Sequence, residues 1–315
     1  MSHLSLAAAP PTPARPGPGV VPETALRALD LTVRRRIESL LAGEHRAASL
    51  GIAMELAQVR PYQPGDDVRL IDWNATARMN EPHIRLHVAE RALTTWLVFD
   101  ASQSMGFGTA LRRKADVAEG VVLAVGHVAS RRGNRLGLLT YGHPDPLFVP
   151  PRQGRVGLVG VLLKVREVAD RPDDYEIPES PDTLADALSR TRRHARDRAL
   201  IVVVSDLRGP RDWSGALREL AVRNDIIVCE VRDPAEETLP DVGEIVVVDH
   251  ETGRQLRVDT GSRRLRERYN TAAAEERELV ARDIRAAGAH HLLLSTDDDW
   301  LRPLVIGLAN RPLLR

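Results

Sequence analysis

A short segment of the sequence combines one carboxylate and two hydroxyls at alternate positions. Asp100, Ser102 and Ser104 follow directly on the apolar run Leu93 to Phe99, which is typical of a buried strand. A strand that ends in such a loop presents three hard oxygen ligands from a single turn. Oxygen ligands of this kind are what a small divalent cation such as Mg²⁺ requires. The spacing therefore predicts a metal site.

Two other segments are expected to bring oxygen-bearing side chains to the same edge of the predicted sheet. Thr183 opens a helical segment, and Asp206 follows the very apolar run Ala199 to Ser205. In open α/β sheets, ligands bind at the carboxyl ends of strands, where the strand order reverses. We therefore expect all these oxygen-bearing side chains to meet around one cation, Mg²⁺ or else Mn²⁺ or Ca²⁺. The candidate ligands are Asp100, Ser102, Ser104, Thr183 and Asp206.

This ligand set has few charges for a divalent cation. Mg²⁺ favours six oxygens in an octahedron and keeps several waters, so neutral hydroxyls with few carboxylates leave the ion electron-poor. A Glu or Asp from a partner protein could complete the coordination. The cation would then bridge two proteins instead of serving as a hydrolytic centre.

The elements that must position these residues alternate between strands and helices from Leu93 onward. Strands are predicted near 94–100, 135–141, 199–205, 225–231 and 290–295. Helices are predicted near 110–131, 155–169, 182–196, 213–223 and 262–287. The alternation predicts an α/β fold whose mainly parallel sheet carries helices on both faces. Residues 244–258 interrupt it and favour an inserted hairpin.

The N-terminal part of the chain differs in composition from this core. Residues 1–20 are rich in Ala, Pro and Gly and are predicted to be disordered. A helix is expected over Thr24 to Leu41, and His83 to Arg91 alternates like a strand. We therefore divide the chain into a tail (1–20), an extension packed on the core (21–92) and the core domain (93–315).

The overall composition excludes several classes of partner. Forty-four basic residues balance forty-four acidic ones, so no net field attracts nucleic acid or an anionic membrane. No segment has the ~18 uninterrupted apolar residues of a membrane span. The single cysteine, Cys229, fits a reducing cytoplasm. Lys114 and Lys164 are the only lysines, a scarcity that we attribute to genomic base composition.

The five candidate ligands resemble the metal-ion-dependent adhesion site of von Willebrand factor A domains. In that family the first loop reads D-x-S-x-S, a second loop gives a Thr and a third gives an Asp. The resemblance implies that Ser102 and Ser104 bind the metal directly. It also implies that Asp100 and Asp206 act directly or through water, and that Thr183 joins or leaves with conformation.

A more specific resemblance covers the segment ahead of the strand and its loop. The matching residues are Arg60 to Asp67, Arg69, Ile71 to Trp73, Ala77, Arg78 and Asp100 to Met105. They are similar to the family known as domain of unknown function 58, whose members carry this segment before a von Willebrand A core. Members are often encoded beside MoxR-type AAA+ ATPases. The resemblance therefore implies a MoxR-type ATPase or its client as partner, and a role in assembling or maturing protein complexes.

Two other functions compete with a non-enzymatic interaction module. Ser104 lies in a loose relative of the nucleophile elbow, and Asp206 and His290 follow in the order of a hydrolase triad. An elbow requires a helix directly after the nucleophile, and Gly106 to Gly108 delay the next helix. A purely structural subunit is the other alternative.

Several polar groups favour structural roles over ligand binding. His83 and His87 would lie ~13 Å apart on a strand, and His290 and His291 would face opposite sides of theirs. Asp297, Asp298 and Asp299 are expected to cap a helix near Trp300. The charges from Asp66 to Arg78 are expected to form a polar network that fixes the extension, with Trp73 as its apolar anchor.

Overall fold

The structure is a computed structural model that describes residues 17–27, 58–86, 93–130, 134–169, 182–248, 255–297 and 299–309. The chain divides into two compact units. Residues 58–86 belong to the smaller unit, and the remaining described residues belong to the larger one. Of the predicted tail, residues 17–20 are described and lie in the larger unit, where the Pro18 carbonyl accepts a hydrogen bond from Trp300 Nε1 at 3.0 Å.

The smaller unit is built on a two-stranded antiparallel sheet. Strand β1 (Gln58–Pro61) pairs with β2 (His83–Leu86), and helix α1 (Trp73–Met79) lies between them in sequence. Residues 87–91 of the predicted second strand lie outside the described residues, as does most of the helix expected over 24–41, of which 23–27 are helical.

The charged residues of the smaller unit serve its local structure. Arg60 makes a two-pronged contact with Asp66 at 2.7 and 2.8 Å. Asp67 accepts a hydrogen bond from Arg69 N, and Asp72 caps α1. The expectation that Trp73 is a buried apolar anchor is wrong, because this residue is 73% exposed.

The larger unit holds a six-stranded sheet in the order β10-β7-β6-β3-β4-β5. All neighbouring pairs are parallel except β4 and β5. The predicted fold class is therefore confirmed. The strands are β3 Thr94–Asp100, β4 Arg135–Tyr141, β5 Phe148–Gln153, β6 Ala199–Ser205, β7 Asp225–Arg232 and β10 His290–Ser295.

The strand order places one position of this sheet at a topological switch point. Numbered within the sheet by sequence, the order is 3-2-1-4-5-6, which is that of a doubly wound α/β fold. From the central strand β3 the chain continues outward through β4 on one side, and it later returns to β6 on the other side. The carboxyl ends of β3 and β6 therefore flank the crevice where such sheets bind ligands.

Helices cover both faces of the sheet, as the apolar runs of its strands require. On one face Trp96 and Val98 of β3 pack in a buried cluster with Trp213, Leu217 and Ile284. The helix that follows β3 is buried almost throughout. Besides the helical residues 23–27, the α-helices described in the larger unit are α2 Lys114–Ala129, α3 Gly154–Ala169, α4 Leu184–His194, α5 Trp213–Ala221, α6 Arg263–Ala286 and α7 Leu301–Ala309.

Two elements depart from the alternating pattern of strands and helices. The hairpin predicted over 244–258 is present as β8 (Glu244–Val248) paired with β9 (Gln255–Asp259). The edge strand β5 was not predicted, because Pro150 and Pro151 are typical of a loop. Among the helices of the described segments, none is both long and apolar enough to cross a bilayer.

Candidate functional site

Asp100 ends the central strand and is one of the two buried acids of the predicted site. It is only 4% exposed. Its Oδ2 accepts hydrogen bonds from Ser205 Oγ at 2.6 Å and Tyr141 Oη at 3.0 Å, and its Oδ1 accepts one from Ser102 N at 3.0 Å. Burial raises the pKa of Asp100, and the nearby charge of Asp206 raises it further. Asp100 is thus an oriented carboxylate whose ionised form lacks a cationic partner among the contacts described.

Ser102 and Ser104 follow on a tight turn at the end of β3. A 3-10 helix over Gln103–Gly106 brings their hydroxyl oxygens to 3.0 Å from each other. The side chain of Ser102 also lies close enough to Asp100 to lower the pKa of that carboxyl, and the side chain of Ser104 has the same effect on Asp206. The turn therefore links the carboxylates that end the two strands flanking the switch point.

Gly142 closes the site from the side of β4. Its backbone has φ +79°, which favours glycine. A Cβ atom at this position would lie 2.9 Å from Ser102 Cβ and 3.1 Å from Asp100 Oδ1. Its N–H donates to the carbonyl of Asp182 at 3.1 Å. Gly142 thus holds together the D-x-S-x-S loop and the loop that precedes α4.

Thr183 is brought to the site by this second loop, but its hydroxyl faces the helix. Thr183 is the N-cap of α4, and its Oγ1 donates to Asp186 Oδ2 at 3.0 Å and accepts from Asp186 N at 3.3 Å. The Thr183 N–H also donates to Asp186 Oδ2 at 3.1 Å, which completes a capping box. In the described conformation the threonine side chain therefore serves α4, and only its backbone neighbour Asp182 contacts the loop of Gly142.

Asp206 forms a buried ion pair that the sequence analysis did not anticipate. Lys114 Nζ lies 2.6 Å from Asp206 Oδ2 and 2.6 Å from Glu236 Oε1, and the Lys114 side chain is 0% exposed. Asp206 Oδ1 accepts a further hydrogen bond from Arg208 N at 3.2 Å. Burial would raise the pKa of Asp206, but the Lys114 charge and its hydrogen bond outweigh this effect and lower it.

The pKa of Lys114 is likewise set by burial and by the neighbouring charges, and each acts in the direction opposite to its effect on Asp206. Burial would lower the pKa of its ammonium, but the carboxylates of Asp206 and Glu236 raise it overall. The amine is therefore charged at neutral pH. Our attribution of the scarce lysines to base composition missed this residue. Its position at the start of the helix after the D-x-S-x-S loop was the signal that could have found it.

A second buried acid supports the segment that carries Glu236. Asp233 is 0% exposed and accepts hydrogen bonds from Thr109 N, Thr109 Oγ1, Thr296 Oγ1 and Ala235 N, at 2.5 to 3.0 Å. It begins a short 3-10 helix, Pro234–Glu236. Asp233 thus joins the ends of β7 and β10 to the loop that leads into Lys114. This role was not predictable from the sequence, because Thr109 and Thr296 are distant from Asp233 in the chain.

The oxygen atoms described here suit a small hard cation. Adjacent ligands of an octahedral Mg²⁺ at about 2.1 Å lie roughly 3.0 Å apart, and the two serine hydroxyl oxygens are separated by 3.0 Å. Within the described segments no group of three His, Cys, Asp or Glu side chains forms a conventional metal site. A cation would therefore be held largely by the hydroxyls of Ser102 and Ser104, with Asp100 beside them.

The hydrolase triad is not assembled in this fold. His290 is the first residue of β10 and pairs with Ile227, three residues before Glu230, which pairs with Ser205. His290 thus lies ~10 Å towards the amino ends of the strands from the level of Ser205, and three strands away from β3. Its Nε2 contacts the Gly307 carbonyl at 2.6 Å.

The remaining polar groups have local partners. His83 Nδ1 lies 2.7 Å from the Glu81 carbonyl, and His291 Nε2 lies 2.7 Å from Glu230 Oε2. Asp299 accepts from the N–H of Leu301, so the predicted capping of this helix is confirmed for Asp299. His87 and Asp298 lie outside the described residues.

Comparison with known proteins agrees with the expected family. A model of the family described as protein of unknown function DUF58 matches residues 58–279. The chain belongs to this family. The uncharacterized protein Rv1480 of Mycobacterium tuberculosis is 40% identical over 289 residues, which cover 91% of this chain and 89% of that protein.

Similar solved structures have low sequence identity. The conserved hypothetical protein BatB from Bacteroides thetaiotaomicron is 13% identical with a TM-score of 0.42, covering 69% of this chain and 96% of its own. The SpRpn10 VWA domain is 13% identical with a TM-score of 0.36, covering 68% and 94%. Sequence identities and TM-scores this low carry no information about ligands or partners. The strand order of the sheet shows a doubly wound α/β core, and the family match is to proteins of unknown function.

Proposed function

We propose that this protein is a non-enzymatic, divalent-cation-dependent interaction module, and that its partner is a MoxR-type AAA+ ATPase or a client of that ATPase. The observation that carries the proposal is the meeting of Asp100, Ser102, Ser104 and Asp206 at the switch point of the sheet. We further propose a role in assembling or maturing protein complexes, which the resemblance of the sequence to proteins encoded beside MoxR-type ATPases implies.

The chemistry of the site supports binding more than hydrolysis. When bound, a cation such as Mg²⁺ would supply an electrophilic point that attracts an anionic oxygen. The chain offers it two neutral hydroxyls and the carboxylate of Asp100, while Asp206 already faces the Lys114 ammonium. The charge of a dication would therefore be only partly neutralised by these residues. A Glu or Asp side chain of a partner is the group that such a site recognises.

Calorimetric titration with Mg²⁺ and Mn²⁺ tests the metal site directly. We expect binding to the wild type and its loss in Ser102→Ala, because this change removes a ligand without deleting a charge. Ser130→Ala is a matched control, since the Ser130 hydroxyl donates to the His127 carbonyl at the end of α2. If the wild type takes up neither metal, the metal-dependent function is wrong.

The partner is tested by capture of a purified MoxR-type ATPase from the same genome on immobilised protein. Capture should require Mg²⁺ and should be abolished by EDTA and by Ser102→Ala, while Ser130→Ala retains it. Equal capture with and without EDTA would contradict the metal-dependent contact. Turnover of model esters that is lost in Ser104→Ala would instead favour the hydrolase alternative.

A further inference from the structure

Lys114 places a positive charge beside the proposed metal site. Its ammonium is fully buried and contacts Asp206 Oδ2 and Glu236 Oε1, each at 2.6 Å. A lysine is taken out of water at a cost of several kcal/mol unless anionic partners compensate. Three carboxylates lie in this region, those of Asp100, Asp206 and Glu236. Lys114 is the buried cation among them, and the Arg208 guanidinium, which is 39% exposed, lies 3.6 Å from Glu236 Oε2.

The geometry divides these carboxylates into two groups. Asp206 is engaged at both oxygens, with Lys114 at Oδ2 and Arg208 N at Oδ1. Asp100 accepts its hydrogen bonds from the hydroxyls of Ser205 and Tyr141 and from Ser102. A cation at the serine hydroxyls would consequently meet Asp100, which has no cationic partner among the described residues, and Asp206, whose charge is compensated.

We infer that Lys114 is a built-in counter-cation of this site, which neutralises Asp206, limits the affinity for a divalent cation and thereby preserves the attraction of the bound cation for a partner's carboxylate. The inference rests on the proposed function and adds that the charge of Lys114 regulates binding of the cation and of the partner. Lys114 acts here through Asp206 and through the field at the site. It is a positioning residue that also sets specificity for an anionic partner.

If Lys114 had a purely structural role, its removal would have a different effect on metal and partner binding. If Lys114 only held Asp206 in place, its removal would disorganise the site and weaken the binding of both the metal and the partner. A counter-cation predicts opposite changes, because the uncompensated Asp206 would strengthen metal binding and would repel the partner's carboxylate. The two roles are therefore separated by the sign of the effect on the metal.

The decisive comparison is between Glu236→Gln and the double variant Lys114→Met with Glu236→Gln. The double variant leaves Asp206 without its ammonium, but it does not leave Glu236 as a second buried and unpaired charge. We expect the double variant to bind Mn²⁺ at least about tenfold more tightly than Glu236→Gln in calorimetric titration. We also expect it to capture the MoxR-type ATPase less well at saturating Mn²⁺.

Equal or weaker Mn²⁺ binding in the double variant would overturn the inference while leaving the proposed function intact. Absence of Mn²⁺ binding in the wild type would overturn both. Circular dichroism and thermal unfolding of each variant establish that it is folded.

A wild-type measurement covers the case in which the double variant does not fold. The chain contains only two lysines, and Lys164 is an internal reference because its side chain is 45% exposed and pairs with Glu167 on α3. In ¹⁵N-lysine NMR, Mg²⁺ should shift the Lys114 Nζ signal and leave that of Lys164 unchanged. An unmoved Lys114 signal at Mg²⁺ concentrations that saturate calorimetric binding would contradict the inference.

Discussion

The Ser205 hydroxyl donates to Asp100 Oδ2 at 2.6 Å, between the two strands that flank the switch point. Both residues are buried, and Ser205 Oγ also accepts the N–H of Leu207 at 2.9 Å. Successive side chains of an extended chain face opposite ways, so Ser205 can contact Asp100 while the next residue, Asp206, contacts Lys114. The end of β6 thus supports both acids of the site.

Ser205→Ala should therefore lower stability and loosen the site. A buried carboxylate that loses a hydroxyl donor is destabilised by about 1–3 kcal/mol, and we expect a loss of unfolding free energy in this range. Mn²⁺ binding should weaken as well, because Asp100 is no longer held in one orientation. Urea unfolding and calorimetry measure the two effects. If Ser205→Ala behaves like Ser130→Ala in both measurements, the Asp100 contact has no such role.

Gly142→Ala should damage the site through contact, in addition to backbone strain. The new Cβ would lie 2.9 Å from Ser102 Cβ and 3.0 Å from Ser102 N. Gly243→Ala is a matched control, since Gly243 has φ +81° and open space around the Cβ position. Both variants should lose about 1 kcal/mol from the backbone conformation. Only Gly142→Ala should lose a further ~1–3 kcal/mol and its Mn²⁺ binding, and equal losses in the two variants would count against the described packing.

Asp206→Ala should weaken Mn²⁺ binding less than Ser102→Ala does. Asp206 already has donors at both oxygens, so its contribution to the cation is expected to be indirect, through water. In this variant Lys114 keeps Glu236 as its partner. Calorimetric titration of the two variants under the same conditions provides the comparison. Losses of equal size would mean that Asp206 binds the cation directly.

Most of the fold and the local part of the site were predictable from the sequence. Apolar runs predicted β3, β4, β6, β7 and β10 within one residue of their observed bounds, because buried parallel strands are continuously apolar. The D-x-S-x-S spacing was sufficient to predict that Ser102 and Ser104 share a turn. Adjacent turn residues are constrained by the chain itself, which is why this pattern can be read without coordinates.

Long-range pairings were not predictable in the same way. Lys114 and Asp206 are 92 residues apart, and Thr109 and Asp233 are 124 residues apart. No local sequence pattern indicates that residues so far apart in the chain will be in contact. Thr183 shows the reverse case, since its position before a helix was predicted, while its use as a cap depends on the rotation of one side chain. The charge balance of the site therefore emerges only from the packed structure.

Asp233→Asn should destabilise the protein in a pH-dependent manner. Burial would raise the pKa of Asp233, but the hydroxyls of Thr109 and Thr296 and the N–H groups around it lower it below the ordinary 3.8. A carboxyl group whose pKa is lower in the folded state stabilises the protein above its unfolded pKa, and this contribution disappears as the pH falls through the folded pKa. The amide cannot accept all of these hydrogen bonds, so about 2–3 kcal/mol should be lost at pH 7.

The difference between wild type and Asp233→Asn should accordingly be largest at neutral pH and shrink below about pH 4. Urea unfolding across this range measures it. Asp241→Asn is the control, because the Asp241 side chain is 62% exposed where it pairs with Arg266, and exposed pairs contribute ~0–1 kcal/mol. A constant difference between wild type and Asp233→Asn at all pH values would contradict the ionised state of Asp233.

Thr183 can be tested as a cap and as a ligand in the same pair of variants. Thr183→Ala removes the hydroxyl that accepts Asp186 N, and the loss of an N-cap should cost about 1 kcal/mol. Asp186→Ala breaks the reciprocal half of the capping box but leaves the threonine hydroxyl in place. If Thr183 is drawn to the cation when it binds, only Thr183→Ala should weaken Mn²⁺ binding. Asp186→Ala should strengthen Mn²⁺ binding slightly, because the Thr183 hydroxyl is then released from its helix partner. If both variants bind Mn²⁺ as tightly as the wild type does, Thr183 is not a ligand of this site.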